Sequence, residues 1–169
     1  MKLKKGFTLI ELLVVIAIIG LLSTLAVVAL SSARLKARDA KRVSDTKQMQ
    51  TALELYFSDK NEYPGATSDE IGVELFCLDN TNGWKTSVGC AAPLYMASAP
   101  KDPDNIAAGT PCKSNDTAGT HTQCNYAYIR LAGSSPQYNI HFNLEGKSGN
   151  LDKGPNCTTE SGSNLTCIH

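Results

Sequence analysis

Glu11 makes the heaviest demand on its surroundings. It is the only ionisable side chain between Phe7 and Leu30, in a run that is otherwise almost wholly apolar. A charge at the centre of a lipid-buried helix costs about 3 kcal/mol on insertion scales, and less near an edge. Some group is therefore expected to compensate it. Phe7 and Glu11 lie one helical turn apart, on one face. A cut between Gly6 and Phe7 creates a cationic amine on Phe7, able to pair with Glu11 of the same chain or of a neighbour. The competing reading leaves Glu11 close enough to the interface to stay hydrated.

The second chemical set is six cysteines, Cys77, Cys90, Cys112, Cys124, Cys157 and Cys167. All follow the apolar run, and none forms a C-x-x-C pair. An even count among Gly- and Asn-rich loops reads as disulfides made in an oxidising compartment, with free thiols as the competing reading. Zinc fits neither the spacings nor the histidine positions. Cys77 with Cys90 and Cys112 with Cys124 are the sequence-local pairs, although six cysteines allow 15 connectivities. Each such loop closure is worth roughly 2–3 kcal/mol.

Little else in the chain reads as chemistry. His121, His141 and His169 have no metal-ligand spacing, and His141 falls on the polar face of an expected strand. There is no glycine-rich phosphate loop and no nucleophile elbow, so no enzyme is expected. Asn115, Asn156 and Asn164 head Asn-x-Ser/Thr triplets and are read only as surface positions.

The elements that carry these residues follow from periodicity. Phe7 to Leu30 as a helix is roughly 36 Å long at ~1.5 Å per residue, enough for a hydrocarbon core of about 30 Å. A secretory signal peptide is the rival, but its apolar core is shorter and ends at small residues. Here the run continues into helix formers, with no Pro or Gly from Leu21 to Tyr63. Met49, Ala52, Leu53, Tyr56 and Phe57 form one apolar stripe at helical spacing. Ala37, Ala40 and Val43 extend it upstream as a thinner, small-residue face. Pro64 ends the helix after Tyr63.

The basic residues Arg34, Lys36, Arg38, Lys41 and Arg42, interleaved with Asp39 and Asp45, read as a solvated face, with lipid headgroups as the second reading. They also oppose the leader lysines Lys2, Lys4 and Lys5 under the positive-inside rule.

Beyond Gly65 the chain reads as loop to Thr122, with Ile71 to Leu78 a short helix or strand. Cys124 to Leu131 alternates, with Tyr126, Tyr128 and Arg130 on one side. Gln137 to Leu144 alternates too, with Tyr138, Ile140, Phe142 and Leu144 on one side, and Ser134-Ser135-Pro136 makes the hairpin. A third strand is expected near Leu165 to Ile168. The fold class is α+β: a long N-terminal helix, its first half transmembrane, packed on a small antiparallel sheet with disulfide-stapled loops.

Lys5-Gly6-Phe7-Thr8-Leu9-Ile10-Glu11 after a basic leader, and before an apolar helix, resembles the prepilin signature of type IV pilins and type II secretion pseudopilins. The resemblance implies cleavage between Gly6 and Phe7, methylation of the Phe7 amine, and a role for Glu11 in assembly. The implied organisation is a leader at 1–6, a transmembrane and assembly half-helix at 7–30, an amphipathic half at 31–62 and a head at 63–169. The family usually has proline where Val28 stands, which lets part of the helix melt on assembly; this chain departs there.

Asn61-Glu62-Tyr63-Pro64, and Pro100-Lys101-Asp102-Pro103 followed by Tyr126 and Tyr128, resemble blocks of major pseudopilins. Cys157 with Cys167 resembles the final disulfide of many pilins. The family's calcium loop is matched only by Asn150-Leu151-Asp152-Lys153-Gly154, with one carboxylate beside a lysine, so no cofactor is expected.

The implied function is a structural subunit polymerised into a pilus-like filament. The alternatives are a secretion pseudopilin or a DNA-uptake or adhesion pilin. The implied partners are copies of itself, a prepilin peptidase and methyltransferase, an assembly platform and, before assembly, membrane lipid. Nucleic acid is left open; losing the three leader lysines leaves 13 of 16 basic against 16 acidic side chains, which is no footprint of a dedicated nucleic-acid binder. The implied location is the inner membrane with the C-terminal domain outside, then a periplasmic or extracellular filament.

Overall fold

The computed structural model describes residues 6–65, 67–71, 77–81, 83–85, 89–104, 125–131, 137–159 and 162–164. The chain divides into two compact units, Met1–Lys36 and Ala37–His169.

One helix, α1 (Leu9–Lys60), accounts for 52 residues. It ends where Asn61 takes the left-handed conformation (φ 57°) and donates its N–H to the Phe57 carbonyl at 2.7 Å. Asn is one of the few non-glycine residues that tolerate this cap, and Pro64 prevents the helix from resuming.

In the first unit every residue from Gly6 to Arg34 is exposed. The large apolar side chains lie open at between 46% (Val15) and 80% (Leu9). This stretch is long and apolar enough to cross a membrane by length and composition. An apolar surface of this extent is not left to water and requires lipid or other chains.

In the second unit α1 buries Met49, Ala52, Leu53 and Tyr56, with Phe57 half-buried, as the stripe predicts. Upstream the expectation fails. Ala37 and Ala40 are exposed and only Val43 is half-buried. The buried face there is made of Asp39, Arg42, Asp45 and Thr46. Burial follows hydrogen-bonding partners at these positions, so an apolar template misses it.

Eight strands follow α1: β1 (Thr67–Glu70), β2 (Cys77–Asp79), β3 (Gly83–Lys85), β4 (Leu94–Met96), β5 (Ala127–Leu131), β6 (Gln137–Leu144), β7 (Gly154–Thr159) and β8 (Gly162–Asn164). They form a five-stranded sheet, order β1-β5-β6-β7-β8, and a three-stranded sheet, order β3-β2-β4, antiparallel throughout. The expected β5–β6 pairing stands, antiparallel and in register from Ala127 opposite His141 to Leu131 opposite Gln137; the Ser134-Ser135-Pro136 connection lies outside the described residues. Tyr128, Tyr138, Ile140, Phe142 and Leu144 join the helical stripe in one core.

The stretch read as loop carries β1, β3 and β4, each of three or four residues and too short for a period to register, while β2 begins at Cys77, inside the Ile71 to Leu78 segment expected as a short helix or strand, of which 72–76 lie outside the described residues. The third strand expected near Leu165 lies outside the described residues. β7 and β8 precede it, and their Gly, Pro and Asn hid them from propensity. His141, expected on a polar face, is buried, as are its neighbours Asn139 and Asn143. Asn156 is buried as well, which corrects its reading as a surface position.

A disulfide joins Cys77 to Cys90, one of the sequence-local pairs, with Cα atoms 6.3 Å apart. Cys157 is also disulfide-bonded; Cys112, Cys124 and Cys167 lie outside the described residues. The turn into β3 fits closely: a Cβ on Gly83, which has φ +77°, would sit 2.7 Å from Pro64 Cβ.

Candidate functional site

The helix begins at its chemistry. Gly6, Phe7 and Thr8 precede α1, exposed and non-helical. Thr8 occupies the N-cap and Glu11 the third helical position, the arrangement of a capping box. The Thr8 N–H donates to Glu11 Oε2 at 2.8 Å, and the Thr8 hydroxyl donates to the same oxygen at 2.7 Å. The Glu11 N–H donates back to Thr8 Oγ1 at 3.3 Å. Glu11 also lines a shallow surface groove with Phe7, Ile10, Val14 and Val15. The carboxylate thus meets polar donors on one side and an apolar wall on the other. The Thr-x-x-Glu spacing is itself a capping signal in the sequence, independent of the Phe7 amine.

The second cluster lies wholly in Ala37–His169 and is centred on Arg42, 2% exposed. Its guanidinium meets four carboxylates. Nε and Nη2 donate to the two oxygens of Asp102 at 2.8 and 2.9 Å. Nη2 also reaches Asp104 at 3.0 Å, and Nη1 donates to Asp39 at 2.9 Å and Glu145 at 2.7 Å. Arg38 binds Glu145 through Nε at 2.6 Å and through Nη2, and its Nε lies 3.0 Å from Asp104. Asp39 accepts the backbone N–H groups of Glu145 at 2.9 Å and Gly146 at 2.8 Å. One turn on, Asp45 accepts the Tyr126 hydroxyl at 3.0 Å and pairs with Lys41 at 2.9 Å.

This overturns the reading of Arg42 as part of a solvated basic face. The reason is long-range: Asp102 and Asp104 come from the segment after β4, and Glu145 from the end of β6. A planar fork with five donors suits such a multi-carboxylate cage in a way that lysine does not. Burial by itself disfavours the charge on Arg42, but hydrogen bonds to Asp102, Glu145 and Asp39 outweigh it and hold its pKa above the ordinary value. The hydrogen bond from Arg38, reinforced by Arg42, pulls Glu145 down to about 2 against the opposing effect of burial. Removal from water pushes the Tyr126 phenol far above its usual range, and the adjacent Asp45 adds to this.

Among the described residues no group of three or more His, Cys, Asp or Glu side chains is arranged to hold a metal ion. The one carboxylate of the calcium-like loop, Asp152, stands 3.6 Å from Lys147.

Residues 1–27 match the family described as the prokaryotic N-terminal methylation motif. The chain is 34% identical over 103 residues to the type II secretion system core protein G of Vibrio cholerae serotype O1, covering 61% of this chain and 67% of that one. It is 34% identical over 113 residues to the type IV major pilin protein PilA of Myxococcus xanthus, covering 67% and 50%. Against the core protein G of Pectobacterium carotovorum it is 44% identical over 78 residues, covering 46% and 48%. The chain thus spans about half the length of the latter two curated relatives. No solved structure matches it.

Proposed function

The chain belongs to the type IV pilin and type II secretion pseudopilin family, and on that premise we propose that it is cut between Gly6 and Phe7, methylated on Phe7 and polymerised into a helical filament. The observation that carries this reading is Glu11, one carboxylate on an otherwise apolar helical surface that is exposed along its whole length. An apolar bundle of such helices excludes water, and a carboxylate inside it needs a cation. The new Phe7 amine supplies one. Before assembly the same surface sits in the inner membrane with the head outside. Afterwards the helices pack at the filament centre and the heads cover them.

Glu11→Ala is the test. The subunit is expected to remain in the membrane and filaments to disappear; normal filament numbers would overturn the pairing role. Mass spectrometry of the mature chain is expected to begin at a methylated Phe7.

A secretion pseudopilus is the second reading. It is supported by the pseudopilin-like Pro100-Lys101-Asp102-Pro103 block, whose Asp102 is the bidentate partner of buried Arg42. Long surface filaments in micrographs would exclude it as the main role. The DNA-uptake reading has less to stand on. Among the described residues of the head Trp84, Tyr126, Tyr128 and Tyr138 are buried and Phe57 and Tyr95 half-buried, which leaves little aromatic surface to stack on bases.

A further inference from the structure

We infer that Arg34 and Lys36 form a collar around α1 that docks on anionic phospholipid headgroups, in the leaflet on the head's side of the membrane. This rests on the membrane reading above and adds to it a class of lipid and the residues that select it.

The pairing of the basic cluster singles these two out. Arg38 is held by Glu145 and Asp104, Lys41 by Asp45, and Arg42 by its four carboxylates. Arg34 and Lys36 are exposed, and neither has an ion-pair partner among the described residues. The chain carries no Asp or Glu between Leu12 and Lys36. The next acid, Asp39, is 2% exposed and already receives Arg42 and the N–H groups of Glu145 and Gly146. The compensating anion for Arg34 and Lys36 therefore comes from outside the chain.

Their position says which anion. The apolar run ends at Leu30, and helix rise puts Arg34 about 6 Å and Lys36 about 9 Å beyond it. The headgroup layer adds roughly 5–7 Å on each side of the hydrocarbon core. The phosphates are thus level with the two residues or within reach of their side chains, whose long apolar stems let the charged ends move to the headgroups. Placement around the axis separates lipid from protein. Two positions along an α-helix are about 200° apart, so Arg34 and Lys36 stand on opposite faces. A docked protein covers one face, whereas lipid surrounds the helix and meets both.

A choline headgroup offers the same phosphate but carries its own cation, so the collar favours lipids with a net negative headgroup. Each cation near an anionic surface contributes roughly a fivefold preference, or about 1 kcal/mol. In the waiting subunit the collar fixes how deep α1 sits, and polymerisation must draw both cations off their phosphates.

The experiment uses the full chain, reconstituted into vesicles of phosphatidylcholine and phosphatidylglycerol in equal amounts. Flotation reads insertion, and native mass spectrometry of the re-solubilised chain counts the lipids of each kind that stay bound. The parent is expected to favour phosphatidylglycerol. Arg34→Gln and Lys36→Gln are each expected to lower that preference roughly fivefold, and the double variant by the product of the two. Arg34→Lys keeps the charge and is expected to stay within about twofold of the parent. Lys47→Gln, which removes an exposed lysine farther along α1, is expected to leave the preference unchanged. Raised salt is expected to weaken it.

Equal retention of the two lipids by the parent would overturn the inference. So would a double variant that retains phosphatidylglycerol as the parent does, or a loss in Lys47→Gln equal to that in Arg34→Gln. A fall in the head's melting midpoint that accounts for the lost lipid would overturn it too. Chain-to-chain adducts that vanish in the double variant, with lipid retention unchanged, would assign the cations to a second copy instead. The two layers separate by flotation. A chain that does not float with the vesicles would sink the membrane reading and this one with it; a chain that floats and keeps both lipids equally would sink only this one.

Discussion

Glu11 and Arg42 sit on the same helix and meet the same difficulty by opposite means. Each is a charge on a segment that must leave water. Glu11 is served from three residues away, by Thr8, and remains exposed in the single chain. Arg42 is served from 60 to 103 residues away by Asp102, Asp104 and Glu145, with Asp39 the one local partner, and is fully enclosed. The first arrangement stays open to another molecule. The second is closed, and its charges are spent on holding the loop after β4 and the end of β6 against α1. Charge on the exposed apolar half of the helix is partnered locally and incompletely; charge where the head must hold its shape is partnered at long range and completely.

The contrast also bears on the basic cluster. Of the five residues that would pull the head towards the cytoplasm, Arg38, Lys41 and Arg42 are paired within the head. Arg34 and Lys36 are exposed at the end of the first unit.

The largest expected effect comes from opening the closed arrangement. Arg42→Ala leaves four carboxylates around an empty centre, and removing one partner of a buried ion cluster costs about 3–5 kcal/mol. Thermal unfolding of the detergent-solubilised chain is expected to show a head melting well below the parent. An unchanged midpoint would mean that the cluster adds nothing to the head's stability.

Acid gives a smaller and graded loss. Glu145 has its folded pKa depressed to about 2, against 4.5 for an ordinary glutamate. Its contribution to stability is complete above about pH 4.5 and is lost as the pH falls through about 2. Glu145→Gln is expected to flatten that part of the pH–stability profile. Retention of the full acid slope in this variant would assign it to other carboxylates.

The smallest effect sharpens the contrast from the other side. Arg34→Gln removes a basic residue that is exposed, and the head's stability is expected to move by less than about 0.5 kcal/mol. A loss comparable with that of Arg42→Ala would erase the distinction between the two regions.

How far the chain could be read follows the same divide. The span from Phe7 to Leu30, the helix running on to Lys60, its Met49–Phe57 stripe and the β5–β6 hairpin are all products of local pattern. Period, length and a helix-ending Asn-Glu-Tyr-Pro are properties of neighbouring residues, so they survive in one dimension. The Thr8–Glu11 box belongs with them, since i to i+3 spacing alone makes it.

The Arg42 cluster does not. Arg42, Asp39 and Asp45 look like any charged helix face until the segment after β4 and the end of β6 are folded onto them. Likewise the short strands β1 to β4 and β7 exist because a neighbour offers backbone hydrogen bonds, even to stretches as poor in strand formers as Gly-Pro-Asn-Cys. The burial of Asn156 and His141 has the same origin. Burial and ion pairing are sums over contacts from distant parts of the chain, and no local period encodes which carboxylate will face a given arginine once the head has closed.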